Sequence, residues 1–344
     1  MPKTILVTGG FGFIGSHLIE ALLQDQDTNV HVVDNLSSNP LPLDYLLKEI
    51  GEQPRLSYSI CSIQEFCKNP QVDFSEIYHL ASVVGPAGVL RHSGKIVKMI
   101  VNDMYSLIDL ALERGVRLLD ISTSEVYGGG QEGFCSEMMP KIIPPVYSPR
   151  LEYAIGKLAT EVALINTTKV SPLQVVIIRP FNVSGPRQSG VGGFVLPRFI
   201  ARALENQDLT VFGDGNQIRA FTNVKDIVNG IILAMHKGQT GQIYNLGNPD
   251  NRCTINELAD AVIRITGSKG GKRYLDPKTI YGPLYEEANN KFPDARKAIN
   301  ELGWKPIYSR DETIEQTINY FRQLPPPMQE HLSGKVEIFF KSSL

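Results

Sequence analysis

Short apolar runs recur along the chain at 4–8, 30–34, 55–60, 76–81, 116–122 and 173–179, and most stretches between them repeat at helical spacing. Strand-like runs alternating with helices predict parallel βαβ units, which right-handed crossovers stack into a doubly wound α/β sheet. Residues 95–113 are apolar at helical spacing, and Gly115 is placed as the helix stop. After Arg179 the rhythm changes. Turn-rich segments (SGPRQSGVGG, FGDGNQ, GNPDN) alternate with short helical patterns at about 193–206, 224–236 and 254–267. These shifts predict a sheet domain over 1–180 and a smaller lobe over 181–323, with the QIYNL run at 242–246 able to return to the main sheet. Residues 324–344 read as a tail in which Pro325-Pro326-Pro327 precedes KVEIFFKSSL, a pattern that fits either a disordered extension or a strand docking on a partner.

The first strand runs straight into Gly9-Gly10-Phe11-Gly12-Phe13-Ile14-Gly15 and then into the helical pattern SHLIEALLQ. Gly10, Gly12 and Gly15 satisfy G-x-G-x-x-G, and Gly9, Gly12 and Gly15 satisfy G-x-x-G-x-x-G. A turn this tight needs positive φ, and a backbone that touches phosphate oxygens has no room for a Cβ. The helix beginning near Phe13 aims its leading N–H groups at those phosphates. Asp34 ends the second apolar run 19 residues after Gly15, the position of a carboxylate that grips adenosine ribose hydroxyls. The expected cofactor is NAD, not its 2′-phosphorylated counterpart, on a Rossmann-type sheet. Asn35 beside Asp34, and Leu80-Ala81-Ser82 after the fourth strand, complete the candidate cofactor contacts.

Ligands of an open α/β sheet lie beyond the carboxyl ends of its strands, where Ser122-Thr123-Ser124-Glu125-Val126-Tyr127-Gly128 follows the fifth apolar run. Some 30 residues on, Tyr153 and Lys157 share one helix face at i, i+4. An ammonium near a phenol is expected to lower its pKa from about 10 toward working pH, which makes Tyr153 a candidate base. Tyr274 and Lys278 repeat the spacing, but Pro277 between them prevents a shared helix face.

Composition excludes several classes. The formal net charge is -2, with no basic stripe for nucleic acid and no apolar run approaching a membrane span. Four cysteines without C-x-x-C spacing read as free thiols in a reducing compartment, and six scattered histidines offer no metal site. The chain enters its first strand without an apolar leader, so the cytoplasm is the expected location.

The glycine turn, Asp34, STSEVYG, YAIGK, RPFNVSGPR and GDGNQIRAF together resemble the extended short-chain dehydrogenase/reductases, the NAD-dependent epimerase/dehydratase family acting on nucleotide sugars, over about residues 3–323. The resemblance implies a held NAD that oxidises the sugar C4 hydroxyl, chemistry next to the ketone, and often return of the electrons. It assigns Thr123 as hydroxyl partner of the base Tyr153, Lys157 as its tuner and ribose contact, and Ser124, Asn182 and Arg219 as substrate contacts, Arg219 on the diphosphate. Expected partners are a nucleotide sugar and a second copy of the chain.

Glu125 narrows the reaction, because the T-S-E triplet resembles GDP-mannose 4,6-dehydratases and UDP-glucuronate decarboxylases more than simple 4-epimerases. In a dehydratase the carboxylate would move protons; in a decarboxylase it would stand beside the departing carboxylate. NLGNPDNRCTINELADAV, PDARKAINELGW and the Pro149-Arg150 pair lean toward the decarboxylases. Lys291, a candidate substrate contact, stands where those enzymes tend to carry arginine and keeps the charge without the bidentate fork, the loop Ser82–Val89 differs from theirs, and Ser59 and Ser62 occupy a segment where an adenine-facing aspartate is expected. A non-catalytic NAD-binding regulator is the competing class, opposed by the joint presence of Thr123, Tyr153 and Lys157.

Overall fold

The computed structural model describes residues 2–51, 53–128, 134–143, 145, 147–287 and 290–333. Seven strands form one parallel sheet: β1 (Lys3–Thr8), β2 (Thr28–Asp34), β3 (Leu56–Ile60), β4 (Glu76–His79), β5 (Arg117–Ile121), β6 (Val175–Pro180) and β7 (Gln242–Leu246). Their spatial order is β7-β6-β5-β4-β1-β2-β3, so the order reverses between β1 and β4. A ligand crevice opens at such a reversal, at the carboxyl ends of the strands.

The inner strands bury both faces, which is why their runs read as nearly continuous hydrophobics with little alternation, while the edge strand β3 leaves Tyr58 and Ile60 exposed. Val7, Val32, Val176 and Ile178 face one core, which helix α1 (Phe13–Leu22) and helix Val224–Lys237 cover. Leu6, Ile77, Leu118 and Ile177 face the other, under α2 (Ile96–Arg114) and α3 (Pro149–Val170). Helix α2 ends where Gly115 takes a left-handed φ of 63°. Gln242–Leu246 does return to the main sheet, in parallel register with β6.

Outside the sheet, short pairings position the remaining chain. Ile218–Ala220 runs antiparallel to Arg252–Thr254, and Phe292–Pro293 pairs with Phe134–Cys135. The second pairing brings the segment around Lys291 to the mouth of the crevice. In the tail, Pro326 and Pro327 open a helix that reaches Ser333, since proline's fixed φ suits a first helical turn. The apolar run KVEIFFKSSL lies outside the described residues.

Candidate functional site

The glycine turn is built without room for side chains. Gly9 sits at φ 70°, and a Cβ there would lie 2.5 Å from the Ala81 nitrogen, while a Cβ on Gly15 would lie 2.3 Å from the Gly9 oxygen. Gly12 begins α1, and no side chain caps that end; the first turn carries no acid. Its leading N–H groups therefore face the crevice as an anion site. Gly10, Phe13 and Ile14 complete the turn and the first helical residues. Asp34, at the end of β2, accepts from the Phe11 N–H through Oδ2 at 3.0 Å and from the Leu36 N–H through Oδ1 at 2.8 Å. Those bonds aim the carboxylate and leave lone pairs for sugar hydroxyls. Asn35 accepts from the Ser37 N–H at 3.0 Å, and Leu80, Ala81 and Ser82 follow β4 with the Leu80 N–H bonded to the Thr8 carbonyl. A cradle with no room for side chains, an uncapped helix start and a strand-end carboxylate fit a dinucleotide.

The adenine side departs from that pattern for a structural reason. Ser59 Oγ bonds His31 Nε2 at 3.0 Å, and Ser62 caps the Ile63–Lys68 helix in a reciprocal box with Glu65. Both serines are used by the fold.

At the end of β5, Thr123 caps the short turn Ser124–Tyr127, its Oγ1 accepting from the Glu125 N–H at 3.2 Å. Ser148 and Pro149 start α3, and Glu152 accepts the Ile96 N–H at 2.9 Å, so α3 is docked onto the first residue of α2. This holds Tyr153 against Val83, Val89, Ile96 and Ile100. Lys157, one turn on and 2% exposed, donates to the Ile121 carbonyl at 2.7 Å. Tyr153 departs from the expected tuning. Burial pushes its hydroxyl above the usual range, Thr123 pulls it back, and the charges of Glu125 and Asp120 push it further up. Desolvation of the phenolate outweighs proximity to a lysine. The Tyr274–Lys278 pair is split between a strand and a short helix, with Tyr274 bonded to Asn256.

Glu125 lies between two cations. Arg150 Nε donates to Oε2 at 2.7 Å and Lys291 Nζ donates to Oε1 at 2.5 Å. Burial alone would raise the Glu125 carboxyl, but the two positive charges outweigh it and hold it down at about 2. Lys291, 2% exposed, is pushed down to about 8 by burial against the opposing pull of Glu125. Arg219, on the Ile218–Ala220 strand and also buried, donates to Glu287 at 2.8 Å. Ser124 is buried beside this group, and Asn182, half-buried at φ 36°, takes a left-handed conformation that asparagine tolerates.

The sequence reading missed Arg150 as a site residue, although it stands three positions before Tyr153 and so shares its helix face. It also missed the brace beneath the site. Glu161 accepts from Arg179 Nε at 2.8 Å and from Ser122 Oγ, and Arg179 Nη1 reaches the Tyr127 hydroxyl at 2.8 Å. Residues so far apart in sequence carry no local signature.

A crevice at the strand-order reversal, a phosphate-fitting turn, and a tyrosine, lysine and threonine converging beyond β5 define a dinucleotide-dependent α/β oxidoreductase-type enzyme. The chain belongs to the NAD dependent epimerase/dehydratase family, whose profile matches residues 5–247. It is similar to UDP-glucuronic acid decarboxylase 1 of Xenopus tropicalis, 33% identical over 322 residues that cover 93% of this chain and 72% of that protein. It is likewise 33% identical to UDP-N-acetyl-alpha-D-glucosaminuronate decarboxylase of Bacillus cytotoxicus, over 94% of this chain and 99% of the relative. Among solved structures, UDP-glucuronic acid 4-epimerase from Bacillus cereus, in complex with UDP-glucuronic acid and NAD, superposes with a TM-score of 0.81 at 29% identity, covering 94% and 100% of the two chains.

Proposed function

We propose that this NAD-dependent enzyme decarboxylates a UDP-linked uronic acid, with UDP-glucuronate as the first substrate to test. The observation that carries the reading is the Arg150–Glu125–Lys291 triad beside Tyr153, and the two decarboxylase relatives support it. Gly9, Gly10, Gly12, Phe13, Ile14, Gly15, Asp34, Asn35, Leu80, Ala81 and Ser82 would hold NAD, with Lys157 on its ribose. Bound NAD supplies the two-electron acceptor and donor. Tyr153 takes the proton of the sugar C4 hydroxyl as that carbon is oxidised to a ketone, and Thr123 orders the exchange. The C5–carboxylate bond then breaks, its electron pair moving toward the C4 ketone as carbon dioxide leaves. A carboxyl held near 2 stays ionised at neutral pH, so Glu125 acts by charge and position, not as a proton carrier. Lys291, held near 8, still carries a proton and can give it to C5. Tyr153 returns its proton to the oxygen when C4 is reduced. Arg219, Ser124 and Asn182 would position the nucleotide sugar.

Mass spectra after incubation with UDP-glucuronate, UDP-N-acetylglucosaminuronate, UDP-glucose, GDP-mannose and dTDP-glucose test this. Loss of carbon dioxide from a uronate is expected. Loss of water from a neutral hexose would make the chain a 4,6-dehydratase, and unchanged mass with an inverted C4 a 4-epimerase.

Asp34 motivates an expectation about the cofactor. A 2′-phosphate would face its carboxylate, and like charges in a partly dry site cost several kcal/mol as an order of magnitude. NAD is therefore expected to bind at least about 100-fold more tightly than NADP, and equal or tighter NADP binding in a calorimetric titration would contradict the assignment.

We also propose a cytoplasmic homodimer whose smaller lobe, 181–323, binds the substrate around the returning β7. The four cysteines are unpaired, as in a reducing compartment, and no helix among the described residues is long and apolar enough to cross a membrane. Tyr105 on α2 and Ile155 and Val162 on α3 are exposed on adjacent helices, a face suited to a second copy.

A further inference from the structure

Behind Lys157, the sheet face that carries Leu118 and Ile177 also carries a carboxylate. Asp120 of β5 lies in register with His79 of β4 on one side and Ile177 of β6 on the other. It is fully buried, and neither of its oxygens makes a hydrogen bond among the described residues. A buried carboxylate so placed is costly unless a charge nearby balances it.

The groups around it identify that charge. His79 Nε2 is 4.0 Å from Asp120 Oδ1, but Nδ1 is bonded to Thr8 Oγ1 at 2.7 Å, and burial drives the ring's pKa well below its usual range, so it is neutral. On α3, Glu161 is taken by the guanidinium of Arg179, which approaches from β6. Asp103 on α2 accepts from Gln64 at 3.1 Å. Tyr153 on α3 brings a neutral phenol. Lys157 remains, its ammonium bonded to Ile121, the residue next to Asp120. Burial pushes the Asp120 carboxyl up to about 6, and Lys157 is the first opposing influence.

We propose that Asp120 is a positioning residue: it serves as the buried counter-charge of Lys157 and so sets the pH at which the Tyr153–Lys157 pair can take a proton from substrate. The proposal rests on the reading of Tyr153 as base. Burial is the first cause of the raised Tyr153 hydroxyl, and the charges of Glu125 and then Asp120 push it further in the same direction. Removing the Asp120 charge lowers the Tyr153 pKa, so a larger fraction is ionised at any given pH.

The test is the pH profile of kcat for the NAD-loaded enzyme on UDP-glucuronate. Asp120→Asn is expected to move the acid limb about one pH unit lower, roughly tenfold faster turnover below the limb, the scale of one charge several ångström away at an effective dielectric of about 20. Asp120→Glu, which keeps the charge, is expected to keep the wild-type limb. A folded Asn variant whose limb is unmoved, or moves upward, overturns the proposal. Tyr153→Phe run alongside separates the two claims: near-normal turnover there defeats the base assignment itself. A second measurement needs no substrate. In protein labelled with ¹³C at aspartate carboxyls, the Asp120 resonance, assigned by its loss in Asp120→Glu, should titrate about one unit higher in Lys157→Met than in wild type. An unchanged midpoint removes the coupling, and with it the proposal, whether or not the Asn variant folds.

Discussion

Tyr153→Phe is expected to lower turnover by about 10²–10⁴-fold, the usual worth of one acid–base group, while the fold and NAD binding persist. The substitution removes only the hydroxyl. The ring keeps its packing against Val83, Val89, Ile96 and Ile100, and Lys157 keeps its bond to the Ile121 carbonyl. Product formation, the NAD released on denaturation and the thermal midpoint should be measured together. Reduced turnover with full NAD content supports the assignment; near-normal turnover would move the base elsewhere in the crevice.

Glu125→Gln is expected to reduce product formation by roughly 10²-fold or more. The amide keeps the shape but removes the charge between Arg150 and Lys291. Burial already holds Lys291 at about 8, and the Glu125 charge is the main influence opposing that fall. Without it the Lys291 pKa drops further and the ammonium gives up its proton at neutral pH, leaving C5 without a donor. C4 oxidation, which depends on Tyr153, continues. Reduced nicotinamide should then accumulate, visible in near-ultraviolet absorbance, and lowering the pH should restore part of the product because Lys291 regains its proton. Full product formation with no reduced nicotinamide would leave Glu125 a structural role only.

What was legible in the chain was what short-range chemistry determines. Strand and helix runs follow from side-chain periodicity, and the observed ends differ from those expected by a residue or two, as with 116–122 against Arg117–Ile121. Tyr153 and Lys157 fall on one face because the helical repeat is regular. The glycine turn is required by local sterics, so its spacing between an apolar run and a helical pattern, with Asp34 ending the next run, points to a phosphate. The strand pattern at 242–246 left a return to the sheet open, and the parallel register with β6 decided it.

The tertiary structure decided the charges and who balances them. Glu125 meets Lys291, 166 positions away, because Phe292–Pro293 pairs with Phe134–Cys135, and no local pattern encodes that register. The protonation of Glu125, Lys291 and Tyr153 depends on how much water the surrounding chain removes and which charges remain within reach. The sequence pattern alone predicts a lowered tyrosine, and the fold raises it, since burial penalises the phenolate and the charges of Glu125 and Asp120 add to that penalty. Residue types and spacing determine the glycine turn and the helix that carries Tyr153 and Lys157; long-range packing determines the electrostatics, because desolvation and Coulomb interaction act through space and not along the chain.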